Sequence, residues 1–170
     1  MIRYTRFASP LGPIIAIADD TGLMHLDFVG AKYERQVEPG WIEDAEAAPL
    51  RECRRQLDEY FAGKRETFEL PLAPRGTEFQ QRVWKEIARV RYGETLTYGE
   101  LAARAGAAGH ARAAGAATGR NPLGVVVPCH RIVGADGSLT GYAGGLERKR
   151  GLLEREGSLQ GSLALQGSLV

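Results

Sequence analysis

The hydrophobic pattern of this chain changes period at one proline-rich break, Phe68-Glu69-Leu70-Pro71-Leu72-Ala73-Pro74-Arg75-Gly76. Before it come three short apolar runs bounded by turn chemistry and then one helical stripe; beyond it helical stripes dominate, with one extended apolar run. Proline disfavours helix in the residue that precedes it, so the break reads as an extended strand followed by a linker. A chain of 170 residues is long enough for two small domains. The expected division is an N-terminal α/β domain over 1–73, a C-terminal domain over 74–157 and a flexible tail over 158–170.

Three short strands are expected first, over Ile2 to Phe7, Pro13 to Ala18 and Leu23 to Phe28, separated by Ser-Pro-Leu-Gly and Asp-Asp-Thr-Gly turns. A helix follows over Pro49 to Phe61, where Leu50, Cys53, Leu57, Tyr60 and Phe61 share a stripe and Gly63 supplies the stop. Cys53 on that stripe reads as a small buried thiol. Past the break, Thr77 and Gln80 form a capping-box pattern ahead of Phe79, Val83, Ile87 and Val90, for a helix ending near Arg91. A second box, Thr97 with Glu100, starts a short helix through Leu101 to Arg104. Gly106 to Gly109 break it, and another helix is expected from about His110 to Thr118.

Two short helices around a glycine turn suggest a helix-turn-helix. The second, His110-Ala111-Arg112-Ala113-Ala114-Gly115-Ala116-Ala117-Thr118, carries almost no large side chains. It suits close approach to a narrow groove better than base reading in a wide one; an Ala-rich helix packed inside a core is the competing reading. Charge adds a direction. Residues 1–74 hold nine Lys and Arg against thirteen Asp and Glu, a balance of −4, whereas 75–157 hold thirteen against eight, a balance of +5. If either part meets phosphate, it is the second.

The apolar run Leu123 to Val127, expected to be extended, ends in Pro128-Cys129-His130-Arg131. A cysteine becomes a strong nucleophile as thiolate, and a histidine, a helix N-terminus or a cation beside it can bring its pKa down. Adjacent side chains on a strand face opposite ways, so His130 can serve Cys129 only if the chain turns here or a water bridges them. Pro128 favours the turn. Taken alone, the Cys-His pair is a poor predictor and fits a buried structural cysteine better.

The wider order, Asn121-Pro122, Pro128-Cys129-His130-Arg131, Gly141-Tyr142-Ala143-Gly144-Gly145-Leu146 and Glu156-Gly157, resembles the O6-alkylguanine-DNA alkyltransferases of the bacterial Ogt kind. The similarity is specific from Thr77 to Gly157 and weaker before it. It implies an N-terminal ribonuclease-H-like α/β domain and a C-terminal, mainly helical, winged helix-turn-helix alkyltransferase domain. It also implies single-turnover DNA repair, in which Cys129 takes the alkyl group from O6-alkylguanine and keeps it. By the same resemblance, Glu156 orients His130, His130 acts through a water on Cys129, Tyr98 donates to guanine N3 as the base departs, and Asn121 braces the turn. Arg112 enters the helix from the minor groove beside Ala111, Ala113 and Gly115 when the base flips out. Backbone groups of Cys129, Ile132 and Ala143, in the loop with Tyr142, hold the flipped base. Ala143 stands where many relatives carry serine, which leaves preference for bulky alkyl groups and for O4-alkylthymine open.

The partner expected is double-stranded DNA containing O6-alkylguanine, bound by a monomer, with cooperativity on DNA open. No cofactor is expected, and no metal, since His25 stands apart from any Cys/His cluster in the first part. No run approaches a membrane span and no signal core opens the chain, so the expected location is the cytoplasm, where Cys53 and Cys129 stay free thiols. Two rivals are a non-catalytic alkyltransferase-like lesion binder, disfavoured by the presence of Cys129, and a cysteine hydrolase using Cys129, His130 and Glu156, for which no oxyanion motif is evident.

Overall fold

In the computed structural model, which describes residues 1–158, the three expected strands form an antiparallel meander: β1 (Arg3–Phe7), β2 (Ile14–Ala18) and β3 (Leu23–Phe28). The register pairs Arg3 with Ala18 and Phe7 with Ile14, then Ile14 with Phe28. β2 reads Ile-Ile-Ala-Ile-Ala and is buried throughout, which places the most apolar strand inside the sheet. A fourth strand, β4 (Ile42–Glu43), pairs parallel to β1 and completes the order β3-β2-β1-β4. Only two residues long and exposed, it has no hydrophobic alternation by which it could be read in advance.

The helix α1 (Ala48–Phe61) packs against β2 and buries Leu50, Cys53, Gln56, Leu57 and Tyr60, with Pro49 in its first turn. The segment 68–76, expected as an extended strand and then a linker, forms less strand than that. Its pairing shrinks to one bridge, Leu72 with Leu23, closed by Leu23 N–H to the Pro71 carbonyl and Ala73 N–H to the Leu23 carbonyl, each 2.8 Å. Pro71 and Pro74 have no N–H to extend a ladder.

The chain divides into two compact units, the first comprising Met1–Arg75 with Pro122–Val126. Within it, Leu26 and Leu123 form a bridge, with the Leu26 N–H donating to Pro122 at 2.8 Å and the Gly124 N–H to Leu26 at 3.0 Å. The run expected to be extended instead turns directly afterwards: the Val126 N–H reaches back to the Gly124 carbonyl, and Val125 takes a φ of 69°. A β-branched residue adopts that conformation only when its surroundings hold it there, and Val125 is buried.

The second unit comprises Gly76–Asn121 and the described residues from Val127 onward. α2 (Glu78–Ala88) starts in the complete capping box of Thr77 and Gln80. It stops earlier than Arg91, because Arg89 and Val90 close the last turn by bonds to residues three back. Trp84 on α2 donates from Nε1 to the Ala117 carbonyl at 2.8 Å, and its ring lies so close to Gly76 that a Cβ there would sit 2.4 Å away.

A parallel pair, β5 (Leu96–Thr97) and β6 (Ile132–Val133), precedes and follows the helix pair in sequence. The pair is α3 (Tyr98–Arg104), boxed by Thr97 and Glu100, and α4 (Ala111–Gly119), one residue later than expected at each end. Gly106 and Gly109 in the connection have φ of 79° and 85°, the left-handed region that glycine enters without strain. α4 is packed on one face and open on the other: Ala114, Ala117 and Thr118 are buried, while Arg112, Ala113 and Ala116 are exposed. α5 (Leu146–Arg155) buries Lys149, Leu152 and Leu153. None of the helices among the described residues is long and apolar enough to cross a membrane. Apart from Ser158, the expected tail lies outside the described residues.

Candidate active site

The turn foreshadowed by Pro128 is a single turn of 3-10 helix over Cys129–Arg131. It is tightened from both sides: the Cys129 N–H bonds to the Val127 carbonyl at 2.8 Å and the Arg131 N–H to the Pro128 carbonyl at 2.9 Å. Asn121 donates from Nδ2 to the same Val127 carbonyl at 2.8 Å, so a buried amide braces the approach to the cysteine. Cys129 is buried, at 8% exposure.

The turn delivers His130 and Arg131 to one carboxylate. Glu156, the residue that caps the C-terminus of α5, lies with Oε2 at 2.8 Å from His130 Nε2; Arg131 grips it in a fork, Nε to Oε1 at 2.7 Å and Nη2 to Oε2 at 3.0 Å. Arg131 also donates to the Val90 carbonyl at 2.7 Å and lies over the Tyr92 ring. The two-pronged guanidinium favours an ionised Glu156. A carboxylate accepts, so the Nε2 that faces it carries the proton, and the lone pair of a neutral ring is left at Nδ1. Nδ1 is buried and has no hydrogen-bond partner among the described residues. Burial holds the His130 pKa below its ordinary value, Glu156 opposing and Arg131 and Lys149 reinforcing the shift, so the ring is neutral at neutral pH. A neutral ring with one committed nitrogen and one free can act as a general base.

Tyr98 is the first residue of α3 and is half-buried, with burial raising its pKa so that the phenol keeps its proton. Its ring lies 3.6 Å from where a Cβ on Gly115 would stand, which is ordinary van der Waals contact, so α3 and α4 pack against each other at this position. Arg112 and Ala113 are exposed on α4, and Ala111 and Gly115 half-buried. Ile132 is buried at the start of β6, and Tyr142 and Ala143 are half-buried in the loop before α5.

The second unit thus brings Cys129, His130, Glu156, Asn121 and Tyr98 into one body, with Arg112 on its surface. Two residues escaped the sequence reading. Arg131, named there only as part of a motif, is the clamp on Glu156. Lys149 is fully buried, its Nζ donating to the Thr140 carbonyl at 2.8 Å and the Gly141 carbonyl at 3.2 Å. The signal for Lys149 was present: it heads the series Lys149, Leu152, Leu153, Glu156, whose spacing puts a lysine on the apolar face of α5. Among the described residues no group of three or more His, Cys, Asp or Glu could hold a metal ion, and His25 pairs with Asp27 at 3.2 Å.

The family model of the 6-O-methylguanine DNA methyltransferase DNA binding domain matches residues 78–158, and that of its ribonuclease-like domain residues 2–74. The chain is 48% identical over 155 residues to a methylated-DNA–protein-cysteine methyltransferase of Methanosarcina acetivorans, covering 91% of this chain and 98% of the relative. It is 46% identical over 158 residues to one from Mycobacterium tuberculosis, covering 93% and 94%. The crystal structure of Mycobacterium tuberculosis OGT in complex with DNA superposes with a TM-score of 0.85 at 45% identity, over 92% of this chain and 93% of that one.

Proposed function

The chain belongs to the 6-O-methylguanine DNA methyltransferase family, and from that premise we propose which of its residues carry the chemistry. The activity is direct repair: an alkyl group passes from O6-alkylguanine in DNA to a cysteine of the protein, which is spent in the act. The cysteine is Cys129. Its thiol proton leaves through a water to His130 Nδ1, the sulfur attacks the alkyl carbon in line with the C–O6 bond, and the electron pair of that bond stays with guanine. Displacement at saturated carbon creates no tetrahedral oxyanion, so the site needs an activated sulfur, alignment and a proton for the departing base. Tyr98 supplies that proton at N3.

The observation that carries this reading is the buried pair of His130 Nε2 and Glu156 Oε2 at 2.8 Å, which leaves Nδ1 as a free base one residue from the only thiol in the described part of the second unit. Cys53, in the first unit, has its pKa pushed up to about 12 by burial and takes no part.

DNA binding and alkyl transfer belong to residues 74–157, with 1–73 as the ribonuclease-H-like domain. Arg112, on the exposed face of α4, fills the gap left by the flipped base, with Ala111, Ala113 and Gly115 small enough to let the helix close on a groove. The turn and loop backbones at Cys129, Ile132, Tyr142 and Ala143 hold the extruded guanine. The reading takes the acting species as a monomer in the reducing cytoplasm, where thiols that form no disulfide persist.

The test is intact mass after incubation with a duplex carrying one O6-methylguanine. The wild type gains one methyl per chain and stops, and Cys129→Ser gains none. A gel shift without added mass would instead mark a lesion binder, and repeated turnover of esters a hydrolase.

A further inference from the structure

Lys149 has no part in the chemistry assigned above, although it lies inside the site. It is fully buried, and no carboxylate is among its partners in the described residues: Nζ donates to the carbonyls of Thr140 and Gly141 and, at 3.5 Å, to the Tyr98 hydroxyl, with the Tyr98 ring 5.8 Å away. The charge that favours the ammonium is that of Cys129, absent while the thiol keeps its proton, so burial is costly and the same stem ending in a methyl would fill the space without that cost. Two carbonyls orient the cation toward a phenol instead.

That phenol has a supply problem. A tyrosine that gives its proton to a departing base is left as a phenolate in a half-buried site, and burial disfavours the charge. An adjacent acid that reprotonates it removes the obstacle. We infer that Lys149 is the proton reservoir behind Tyr98: as the C–O6 bond breaks, the phenol proton passes to the guanine ring nitrogen and the Lys149 ammonium returns a proton to the phenol oxygen. Protons and charge balance. The reaction begins with a thiol, a neutral imidazole and an ammonium; it ends with a thioether, an imidazolium, a neutral amine and neutral guanine. Lys149 acts through Tyr98 and does not touch the substrate, so it is a positioning residue.

Burial lowers the Lys149 pKa from 10.5 to about 8, with Cys129 opposing, which brings the ammonium within reach of release near neutral pH. The titratable groups around it are Tyr98 on α3, Cys129 and His130 in the 3-10 turn, and through His130 the Glu156–Arg131 pair. Since the acid form is needed, the contribution is present below about pH 8 and is lost as pH rises through that value.

The inference rests on the alkyl-transfer reading, and two reactions at the same sulfur separate them. One is single-turnover methyl transfer from duplex O6-methylguanine; the other is alkylation of Cys129 by iodoacetamide, whose iodide leaves without a proton. Both are followed in wild type, Lys149→Met and Lys149→Arg, with thermal melting as the check on folding. Wild-type methyl transfer is expected to fall above about pH 8 while iodoacetamide alkylation does not. Lys149→Met should lose roughly 100-fold in methyl transfer and about 10-fold less than that with iodoacetamide, where only the ammonium's attraction for the Cys129 thiolate is lost. Lys149→Arg keeps the charge but cannot release a proton at these pH values, so it should stay as slow as Lys149→Met. Equal slowing of both reactions, rescue by arginine, or a wild-type profile without the falling limb overturns the inference. If Lys149→Met does not fold, Lys149→Gln and the wild-type limb decide it. Absence of any methyl gain in wild type would sink the alkyl-transfer reading itself.

Discussion

Cys53 and Cys129 are both buried, at 0% and 8% exposure, and both are free thiols. Cys53 lies on the apolar face of α1 with Leu50, Leu57 and Tyr60, and burial alone pushes its pKa up to about 12. Cys129 lies in a turn whose next residue, His130, is tied to Glu156, with Tyr98 and Lys149 close enough to feel its charge. Depth therefore does not separate an inert thiol from a reactive one. The separation comes from polar groups buried with the sulfur, each held by partners of its own.

The sharpest test of that contrast is chemical labelling. In the native protein iodoacetamide should modify Cys129 and leave Cys53 intact, a rate ratio of at least about 100, while in denaturant the two should react alike; peptide mass mapping reads both. Native labelling of Cys53 at a comparable rate would break the comparison.

A smaller effect should follow from removing the charge that orients His130. Glu156→Gln is expected to slow methyl transfer at neutral pH by roughly 100-fold, the usual worth of a general base. The same change strips Arg131 of its buried partner, at a cost of about 3–5 kcal/mol in stability, so denaturant melts accompany the kinetics. In the wild type the rate should rise with pH through a value below 6.5, because burial lowers the His130 pKa and the neutral ring is the active form. A rising limb above 6.5 would contradict that electrostatic picture.

The smallest effect tests whether surface and site divide their labour. Arg112→Ala should slow repair of a duplex by roughly 10-fold and leave reaction with free O6-benzylguanine unchanged, since only the duplex requires extrusion of a base. Equal slowing of the two substrates would move Arg112 from extrusion into the pocket.

Much of the architecture was legible from residue order. Both capping boxes form in full, Thr77 with Gln80 and Thr97 with Glu100, and the meander strands fall within a residue of where turn chemistry put them. The misses share a cause. The strand expected ahead of the linker within 68–76 and the extended run before Cys129 both looked right by side-chain type, but Pro71 and Pro74 withhold donors and the chain at Val125 turns. β4 left no trace because a two-residue exposed strand exists only through its partner β1. In the candidate site, Cys129, His130, Glu156, Asn121 and Tyr98 could be named through resemblance, whereas the roles of Arg131 and Lys149 could not.

Sequence by itself determined what is settled within a few residues: helix starts, the glycine break between α3 and α4, and a Pro-Cys-His turn able to offer a thiol beside an imidazole. Only tertiary structure decided what that turn meets. Glu156 is 26 residues from His130, and Lys149 is 51 from Tyr98. Local propensity carries no information over such separations; they close because α5 packs against the turn and buries its charged residues together with the cysteine's neighbours. Buried charge demands a partner, and the fold chooses which.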